Sequence, residues 1–190
     1  MKVIGLTGNI GCGKSTVARM LRQLDVATVD ADAVTRQIRL NDADARSEIL
    51  ARFGTNQADR LAQIVFSDPA SLRDLEGILH PPLRGAIRTR LAELEQGGVE
   101  VAAVEVIKLI ESPLADACDE IWVVRCDEAD ALRRLAESRG MDEATARRRM
   151  ASQSSQDAKL AVADVVIDGS AAIDETRRQV EVALAALRGA

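Results

Sequence analysis

The residues best suited to chemistry stand near the amino terminus, where the chain fits the pattern G-x-x-x-x-G-K-[ST]. Glycines in such a loop let the backbone turn around an anion with its N–H groups pointing inward. A helix that begins near Lys14 would add its positive amino-terminal end. We expect Lys14 to reach the β- and γ-phosphates of a nucleotide and Ser15 to supply its hydroxyl to Mg²⁺. The predicted nucleotide-binding residues are Gly8, Asn9, Ile10, Gly11, Cys12, Gly13, Lys14, Ser15 and Thr16.

A second candidate group, Asp30-Ala31-Asp32, directly follows a predicted strand. Ligands of parallel α/β sheets bind outside the carboxyl ends of strands. If this strand lies beside the first one, Asp32 would stand near the γ-phosphate, where a carboxylate could orient or deprotonate an attacking hydroxyl. The alternative is that Asp30 or Asp32 only caps the helix that begins near Ala33.

Seven arginines cluster in residues 125–149, a stretch that contains a predicted pair of helices. Such a helical hairpin could close over a nucleotide and present guanidinium groups to phosphoryl oxygens. The alternative for each arginine is a solvated helix face with surface ion pairs. The seven are Arg125, Arg133, Arg134, Arg139, Arg147, Arg148 and Arg149.

Two other residues leave alternatives open. His80 is the sole histidine and precedes Pro81-Pro82; it could contact a substrate or be an interhelix residue bonded to backbone. Cys12 could be a reactive thiol in an electropositive loop, although a small residue tolerated at a variable position is the simpler interpretation. Three cysteines in all suit a reducing compartment better than a disulfide framework.

Composition limits the class of protein. The 190 residues suit one domain with, at most, a small inserted lobe, and 47% hydrophobic residues can form a packed core. A net charge of −5, two Phe, one Trp and no Tyr argue against a nucleic-acid partner, which usually needs basic grooves and aromatic stacking. No secretory leader or membrane-spanning run is visible, so a soluble cytoplasmic protein with no membrane partner is expected.

The pattern of elements predicts the scaffold that positions these residues. Strands are predicted at 2–7, 26–30, 99–107, 120–126 and 163–168. Helices are predicted from the loop to about 24 and at 32–40, 43–53, 57–66, 68–79, 82–96, 128–138, 142–156 and 171–188, with Pro81-Pro82 as a break. The opening strand, helix and strand form a βαβ unit, which implies a parallel sheet. About 65 helical residues between two strands exceed one crossover, so we expect an inserted helical lobe.

These residues resemble the dephospho-CoA kinase family over nearly the whole chain. The loop motif is generic, but DAD, VFSDP, LEGILHP and ADVVID in this order are specific. The stretches that carry the resemblance are "IGLTGNIGCGKSTVARML", "VDADAVTRQI", "RLAQIVFSDPASLRDLEGILHPPL", "RRLAESRGMDEATARRRMASQ" and "KLAVADVVID".

The resemblance implies a function: transfer of the ATP γ-phosphate to the ribose 3′-hydroxyl of dephospho-CoA, with Mg²⁺. It implies that Asp32 is the general base, that His80 and Pro81 help to bind dephospho-CoA, and that Arg139 and Arg149 belong to the lid. The implied fold is α/β, a three-layer P-loop kinase with a five-stranded parallel sheet, an inserted helical substrate lobe within 32–97 and a helical lid at 127–157. All of it forms one kinase domain over residues 1–190. The oligomeric state is not predicted.

The sequence departs from the family pattern at three places, one of which is a stretch between Phe53 and Ile64 that is shorter than in the family. The segment after the third strand reads "VEVIKLIE", with Ile107 and Lys108 where the family has Pro and Leu, although Glu111 is retained. Lys108 could contact phosphate or lie in solvent. Near the carboxyl end, Gly169 replaces an Asn, so we expect any adenine contact there to be made by backbone.

Three other functions remain as alternatives. The first is a P-loop kinase for another small hydroxyl or nucleotide acceptor. The second is a GTPase-type switch, which would need a guanine-reading N-K-x-D motif; no Asn in the chain is followed by Lys. The third is a binding module without catalysis, against which Lys14, Ser15 and Asp32 argue.

Overall fold

A strand, a glycine-rich loop and a helix open the chain as predicted. The computed structural model describes residues 1–112 and 114–189, without the side chain of Phe66. Strand β1 spans Lys2–Thr7, helix α1 spans Lys14–Gln23 and strand β2 spans Ala27–Asp30. Every residue of β1 after Lys2 is buried, whereas Asn9, Gly11 and Gly13 of the following loop are half-buried.

The sheet is parallel throughout and places β1 at its centre. Strands β3 (Val101–Glu105), β4 (Glu120–Arg125) and β5 (Val165–Asp168) complete it, and across the described residues the five strands follow the order β2-β3-β1-β4-β5. Glu105, the last residue of β3, is in register with Leu6 of β1 and with Asp30 of β2. The predicted five-stranded parallel α/β fold is confirmed.

The condition that β2 lies beside β1 is not met, because β3 separates them. Burial explains this order. All five residues of β3 are buried, as expected of a strand with neighbours on both sides, whereas β2 keeps partly exposed positions that suit an edge.

The remaining helices after β4 belong to the same unit as the sheet. They are α6 (Glu128–Arg139), α7 (Glu143–Ala151), α8 (Gln156–Leu160) and α9 (Ile173–Gly189), with a short 3₁₀ helix at Ala115–Ala117. The predicted helix over 142–156 ends at Ala151, and α8 starts separately because the Ser155 side chain accepts a hydrogen bond from the Ala158 N–H. Helices α1 and α9 cover the sheet through Leu21 and Leu184, which share a core with Ile4.

The chain divides into two units, one formed by residues 1–30 with the chain from Leu94 onward and one by Ala31–Glu93. The second unit is helical: α2 (Ala31–Asn41), α3 (Ala43–Phe53), α4 (Ala58–Ser67) and α5 (Pro69–Gln96), whose last turn enters the first unit. Its core contains Ala45, Ile49, Leu61 and Leu79. Within the two described ranges, no helix has both the length and the apolar composition that crossing a membrane requires.

Helix α5 runs through Pro81-Pro82, so the predicted break there is wrong. Proline inside a helix removes a backbone hydrogen bond and typically costs about 3 kcal/mol. The apolar stripe explains why the helix continues: Leu79, Leu83, Ile87 and Leu91 are buried at a spacing of four residues on both sides of the prolines.

Candidate active site

Three glycines shape the loop between β1 and α1. Gly8, Gly11 and Gly13 have φ angles of 152°, 87° and 95°, which L side chains rarely adopt. A Cβ at Gly11 would lie 2.8 Å from the Ala131 carbonyl oxygen, so α6 packs directly on the loop backbone. Gly13 immediately precedes α1, and the loop therefore ends at a helix amino terminus, an arrangement suited to binding an anion.

Lys14 and Ser15 meet at one carboxylate. Lys14 Nζ lies 2.7 Å from Glu105 Oε1, and Ser15 Oγ donates a hydrogen bond of 2.8 Å to the same oxygen. The Lys14 and Glu105 side chains are 9% and 8% exposed, so this is a nearly buried ion pair. Glu105 was not among the predicted site residues, because the strand was predicted to continue to residue 107, whereas it ends at Glu105.

Asn9 and Ile10 are held by the segment after α7. Ile10 is buried with Leu135 of α6 and Ala146 of α7. Its N–H donates a hydrogen bond of 3.1 Å to Gln153 Oε1. Asn9 Oδ1 accepts a hydrogen bond of 2.5 Å from Lys159 Nζ. The sequence reasoning assigned Asn9 and Ile10 only to the nucleotide.

Cys12 is bonded to another cysteine. It forms a disulfide with Cys126, whose Cα lies 5.0 Å away, although the cysteine count argued against a disulfide. The pair could not be found from spacing, because the two cysteines are separated by 114 positions in sequence and meet only where the loop packs against the carboxyl end of β4. Cys118 is a free thiol.

A cavity extends from the end of the loop toward the segment after β5. Its volume is about 280 Å³, and it is lined by Gly13, Thr16, Arg134, Gly169, Ala171, Ile173 and Thr176. Arg134 donates a hydrogen bond of 2.7 Å to the Gly169 carbonyl oxygen, which fixes a guanidinium beside the cavity.

Gly169, which replaces an Asn of the family pattern, has no room for a side chain. A Cβ there would lie 2.1 Å from the Cys12 carbonyl oxygen. Its N–H donates to Arg125 O at 2.8 Å, and its carbonyl oxygen accepts from Arg134. The backbone groups of Gly169 therefore bond to Arg125 and Arg134, and a backbone contact with adenine stays a prediction.

The arginines of α6 and α7 differ in their surroundings. Arg133 pairs with Asp130, and Arg147 pairs with Glu143 and Glu128, so these two follow the surface ion-pair alternative. The predicted lid residues lie elsewhere: Arg139 is exposed at the last residue of α6, and Arg149 is half-buried in α7. Arg134 was one of the seven candidate arginines, and only the fold associates it with Gly169.

The predicted acceptor residues lie in the second unit. Asp32 is half-buried in the first turn of α2, which starts directly after β2 rather than near Ala33. His80 is half-buried and Pro81 exposed, both within α5. The structure therefore places these three residues on two helices of one helical unit.

The segment with Ile107 and Lys108 is held by backbone. Thr7 Oγ1 donates a hydrogen bond of 3.0 Å to the Ile107 carbonyl oxygen, so a side chain other than proline leaves this contact in place. Further on, Glu111 Oε1 accepts hydrogen bonds from the Ser154 N–H and hydroxyl. These hydrogen bonds join the segment after β3 to the segment after α7.

Relatives of similar length align with this chain over almost all of it. A dephospho-CoA kinase from Leifsonia xyli is 40% identical over 201 aligned positions that cover 100% of both chains. A dephospho-CoA kinase from Geobacter sulfurreducens is 38% identical over 189 positions, or 95% of this chain and 96% of the relative.

Solved structures share the fold. A Thermus thermophilus protein superposes with a TM-score of 0.85 and 28% identity over 98% of this chain and 97% of its own. Dephospho-CoA kinase from Campylobacter jejuni has a TM-score of 0.70 and 22% identity over 98% of each chain, which shows the fold. The sequence model described as dephospho-CoA kinase matches residues 2–175. On these matches, the chain belongs to the dephospho-CoA kinase family.

Proposed function

We propose that the chain transfers the γ-phosphate of ATP to the ribose 3′-hydroxyl of dephospho-CoA, giving coenzyme A. The observation that carries this is the convergence of Lys14 and Ser15 on Glu105 at the start of α1, in a chain of this family. Phosphoryl transfer needs positioning and charge neutralisation more than covalent help from the protein. A preorganised cation and helix terminus supply both.

The donor triphosphate binds the loop Gly8–Thr16. Loop N–H groups and the amino terminus of α1 contact phosphate oxygens, as in other loops of this type. In the free protein, Glu105 holds the Lys14 ammonium at 2.7 Å and so keeps it directed at the loop rather than at solvent. On nucleotide binding, Lys14 turns its remaining N–H donors to the β- and γ-phosphates.

The residues at the start of α1 and at the end of β3 are suited to binding a magnesium ion. Ser15 supplies a hydroxyl oxygen and Glu105 a carboxylate oxygen, and the two atoms lie 2.8 Å apart. Mg²⁺ prefers such oxygen ligands, together with water and substrate phosphates. When bound, the ion neutralises charge that develops on the transferred phosphoryl group.

The cavity beside Arg134 accepts the nucleoside part of ATP. It begins at Gly13 and Thr16, next to the phosphates, and ends at Ala171 and Ile173, which offer apolar surface to a base. Arg134, fixed by its hydrogen bond to Gly169, presents a planar guanidinium that can stack on the base. Arg139 and Arg149 act from the lid on phosphoryl oxygens.

The acceptor uses residues of the helical unit. The Asp32 carboxylate accepts or orients the proton of the 3′-hydroxyl, which makes that oxygen a better nucleophile. His80 and Pro81 help to hold dephospho-CoA, so the substrate lobe corresponds to the helices between residues 32 and 97.

A coupled assay of ADP release with ATP, Mg²⁺ and dephospho-CoA tests the reaction. We expect ADP release that requires all three components, with phosphate found on the ribose 3′-oxygen of the product. Shikimate and gluconate serve as acceptors of other small-molecule kinases and are the matched controls. ADP release that is equally fast with a control acceptor would favour a kinase for another hydroxyl, and no release by folded protein would refute the proposal.

Asp32→Asn tests the base directly. We expect kcat to fall by roughly 10²-fold to 10⁴-fold, because this is the usual contribution of general acid–base catalysis, while ATP binding persists. Asp30→Asn is the control, since Asn caps a helix about as well as Asp. If turnover barely changes in Asp32→Asn, Asp32 is not the base.

A further inference from the structure

The segment from Gln153 to Lys159 holds the phosphate loop through side chains. Gln153 Oε1 accepts from the Ile10 N–H at 3.1 Å, and Lys159 Nζ donates to Asn9 Oδ1 at 2.5 Å. Gln156 Oε1 accepts a hydrogen bond of 3.0 Å from the N–H of Cys126, the disulfide partner of Cys12 in the loop. Consecutive loop residues are therefore fixed by a segment 140 or more residues away in sequence.

Lys159 is the unusual member of this group because it is a fully buried lysine, with 0% of the residue exposed. Burial of an ammonium group is costly unless it is paired. Its hydrogen-bond acceptor is a neutral amide oxygen, which lies in the loop that receives the phosphates. The reaction as proposed above assigns Lys159 no part.

Charged groups around Lys159 connect it to the site. Burial lowers the pKa of the Lys159 ammonium most strongly, the positive charges of Lys14 and Lys108 lower it further, and Glu111 opposes them. An apolar residue would fill this buried position at lower cost, so the charge itself calls for an explanation.

We propose that Lys159 is a positioning residue for ATP, which acts by holding Asn9 and thereby the first turn of the phosphate loop. This inference rests on the proposed function. Gly8, just before Asn9, packs against β4 so closely that a Cβ would lie 2.5 Å from the Val124 carbonyl oxygen. The loop is thus fixed from β4 at Gly8 and from α8 at Asn9, and Lys159 supplies the second of these two constraints.

Lys159→Met tests the role, since it keeps the length of the side chain and removes the charge and the donor. We expect the Kd for the non-hydrolysable β,γ-imido analogue of ATP with Mg²⁺, measured by calorimetry, to rise roughly tenfold to a hundredfold, the range of a hydrogen bond to a charged group. The KM for ATP should rise with it, while the KM for dephospho-CoA stays unchanged. Lys2→Met is the matched control, because Lys2 is exposed at the start of β1.

Two further variants separate positioning from simple packing. Lys159→Arg, which keeps a donor and a charge, should recover part of the affinity, whereas a purely structural role predicts no such rescue. Asn9→Ala should weaken analogue binding similarly, and the Lys159→Met, Asn9→Ala double variant should be no weaker than the worse single variant. If Lys159→Met does not fold by circular dichroism, the Lys159→Arg and Asn9→Ala measurements decide.

An unchanged Kd in folded Lys159→Met, or fully additive effects in the double variant, would overturn the inference. Analogue binding is measured without an acceptor, so it reports on Lys159 even if wild-type protein fails to phosphorylate dephospho-CoA. Conversely, wild-type turnover with unchanged binding by Lys159→Met would leave the proposed function in place and remove only the role of Lys159.

Discussion

Before a nucleotide binds, Glu105 holds both Lys14 and Ser15 by accepting a hydrogen bond from each. A carboxylate that is 8% exposed is costly to bury, and the ammonium at 2.7 Å together with the Ser15 hydroxyl offsets that cost. The same three groups are those we assign to phosphate and magnesium. A stabilising pair in the free protein and a ligand set in the loaded protein are therefore made by the same atoms.

Glu105→Gln should lower both stability and activity. The Lys14 ammonium would remain buried without a counter-charge, which we expect to reduce the free energy of unfolding by about 3 kcal/mol. Urea unfolding followed by circular dichroism measures this, and the ADP-release assay measures kcat. Glu100→Gln, at an exposed residue just before β3, is the control. A variant at Glu105 as stable and as active as the control would contradict this account.

The reactivity of the Cys118 thiol, and its contribution to stability, should depend on pH. Burial, and next the negative charge of Asp119, raise the pKa of the Cys118 thiol to about 11. Because the folded state favours the neutral thiol, its contribution to stability is present below the ordinary pKa of 9.0 and is lost as the pH rises toward 11. Alkylation by iodoacetamide should accordingly be slow at pH 8 and accelerate toward pH 11.

Mass spectrometry of the alkylated peptide containing Cys118 measures this rate. The control is the protein unfolded in urea, where the thiol should react at pH 8 as an ordinary cysteine does. The disulfide between Cys12 and Cys126 keeps these two residues from reacting unless a reductant is added. Equal rates in the folded and unfolded protein at pH 8 would contradict the pKa shift.

At the scale of elements, the sequence predicts what depends on local pattern. The loop motif, the strand before it and the helix after it were predicted because glycine spacing and apolar runs act over a few residues. The position of β3 between β1 and β2 was not, since sheet order depends on which strand is buried on both sides. Glu105 was missed because the predicted strand continued to residue 107.

The other contacts that were not predicted join distant segments of the chain. Lys159 and Asn9 are 150 residues apart, and Arg134 and Gly169 are 35 apart. No spacing rule links such pairs, whereas the fold brings each together at the loop. The prolines of α5 show the opposite effect: a strong local signal for a break is outweighed by a buried stripe that continues across it.

Pro82→Ala should stabilise α5. Alanine restores a backbone N–H that can donate to the Ile78 carbonyl oxygen. This gain outweighs the added conformational freedom of the unfolded chain, so we expect the free energy of unfolding to rise by about 2 kcal/mol. The midpoint of urea unfolding, followed at the helical signal, measures the change. Gly85→Ala in the same helix, where a Cβ would meet open space, is the control for a change of propensity alone. A lower midpoint for Pro82→Ala would show that the proline ring itself contributes packing.

At the scale of the whole molecule, the chain has two units with different chemistry. The unit that contains the sheet carries the phosphate loop, helices α6 and α7 and the cavity beside Arg134. The unit Ala31–Glu93 carries Asp32, His80 and Pro81. We assign the donor to the first unit and the acceptor to the second, and this division can be tested with each substrate alone.

Hydrogen–deuterium exchange with each ligand separately should show two patterns of protection. A ligand that binds only the folded state stabilises the part of the protein that contacts it, by an amount that grows with the logarithm of the ligand concentration over its Kd, so amides there exchange more slowly. The β,γ-imido analogue of ATP should protect peptides from 8–16 and 127–160, and dephospho-CoA should protect peptides from 31–93. Pantetheine, which lacks the ribose hydroxyl and the adenine, is the control and should protect 31–93 less. Protection by dephospho-CoA confined to the sheet unit would contradict the assignment of the helical unit to the acceptor, because a site must slow exchange where the ligand makes its contacts.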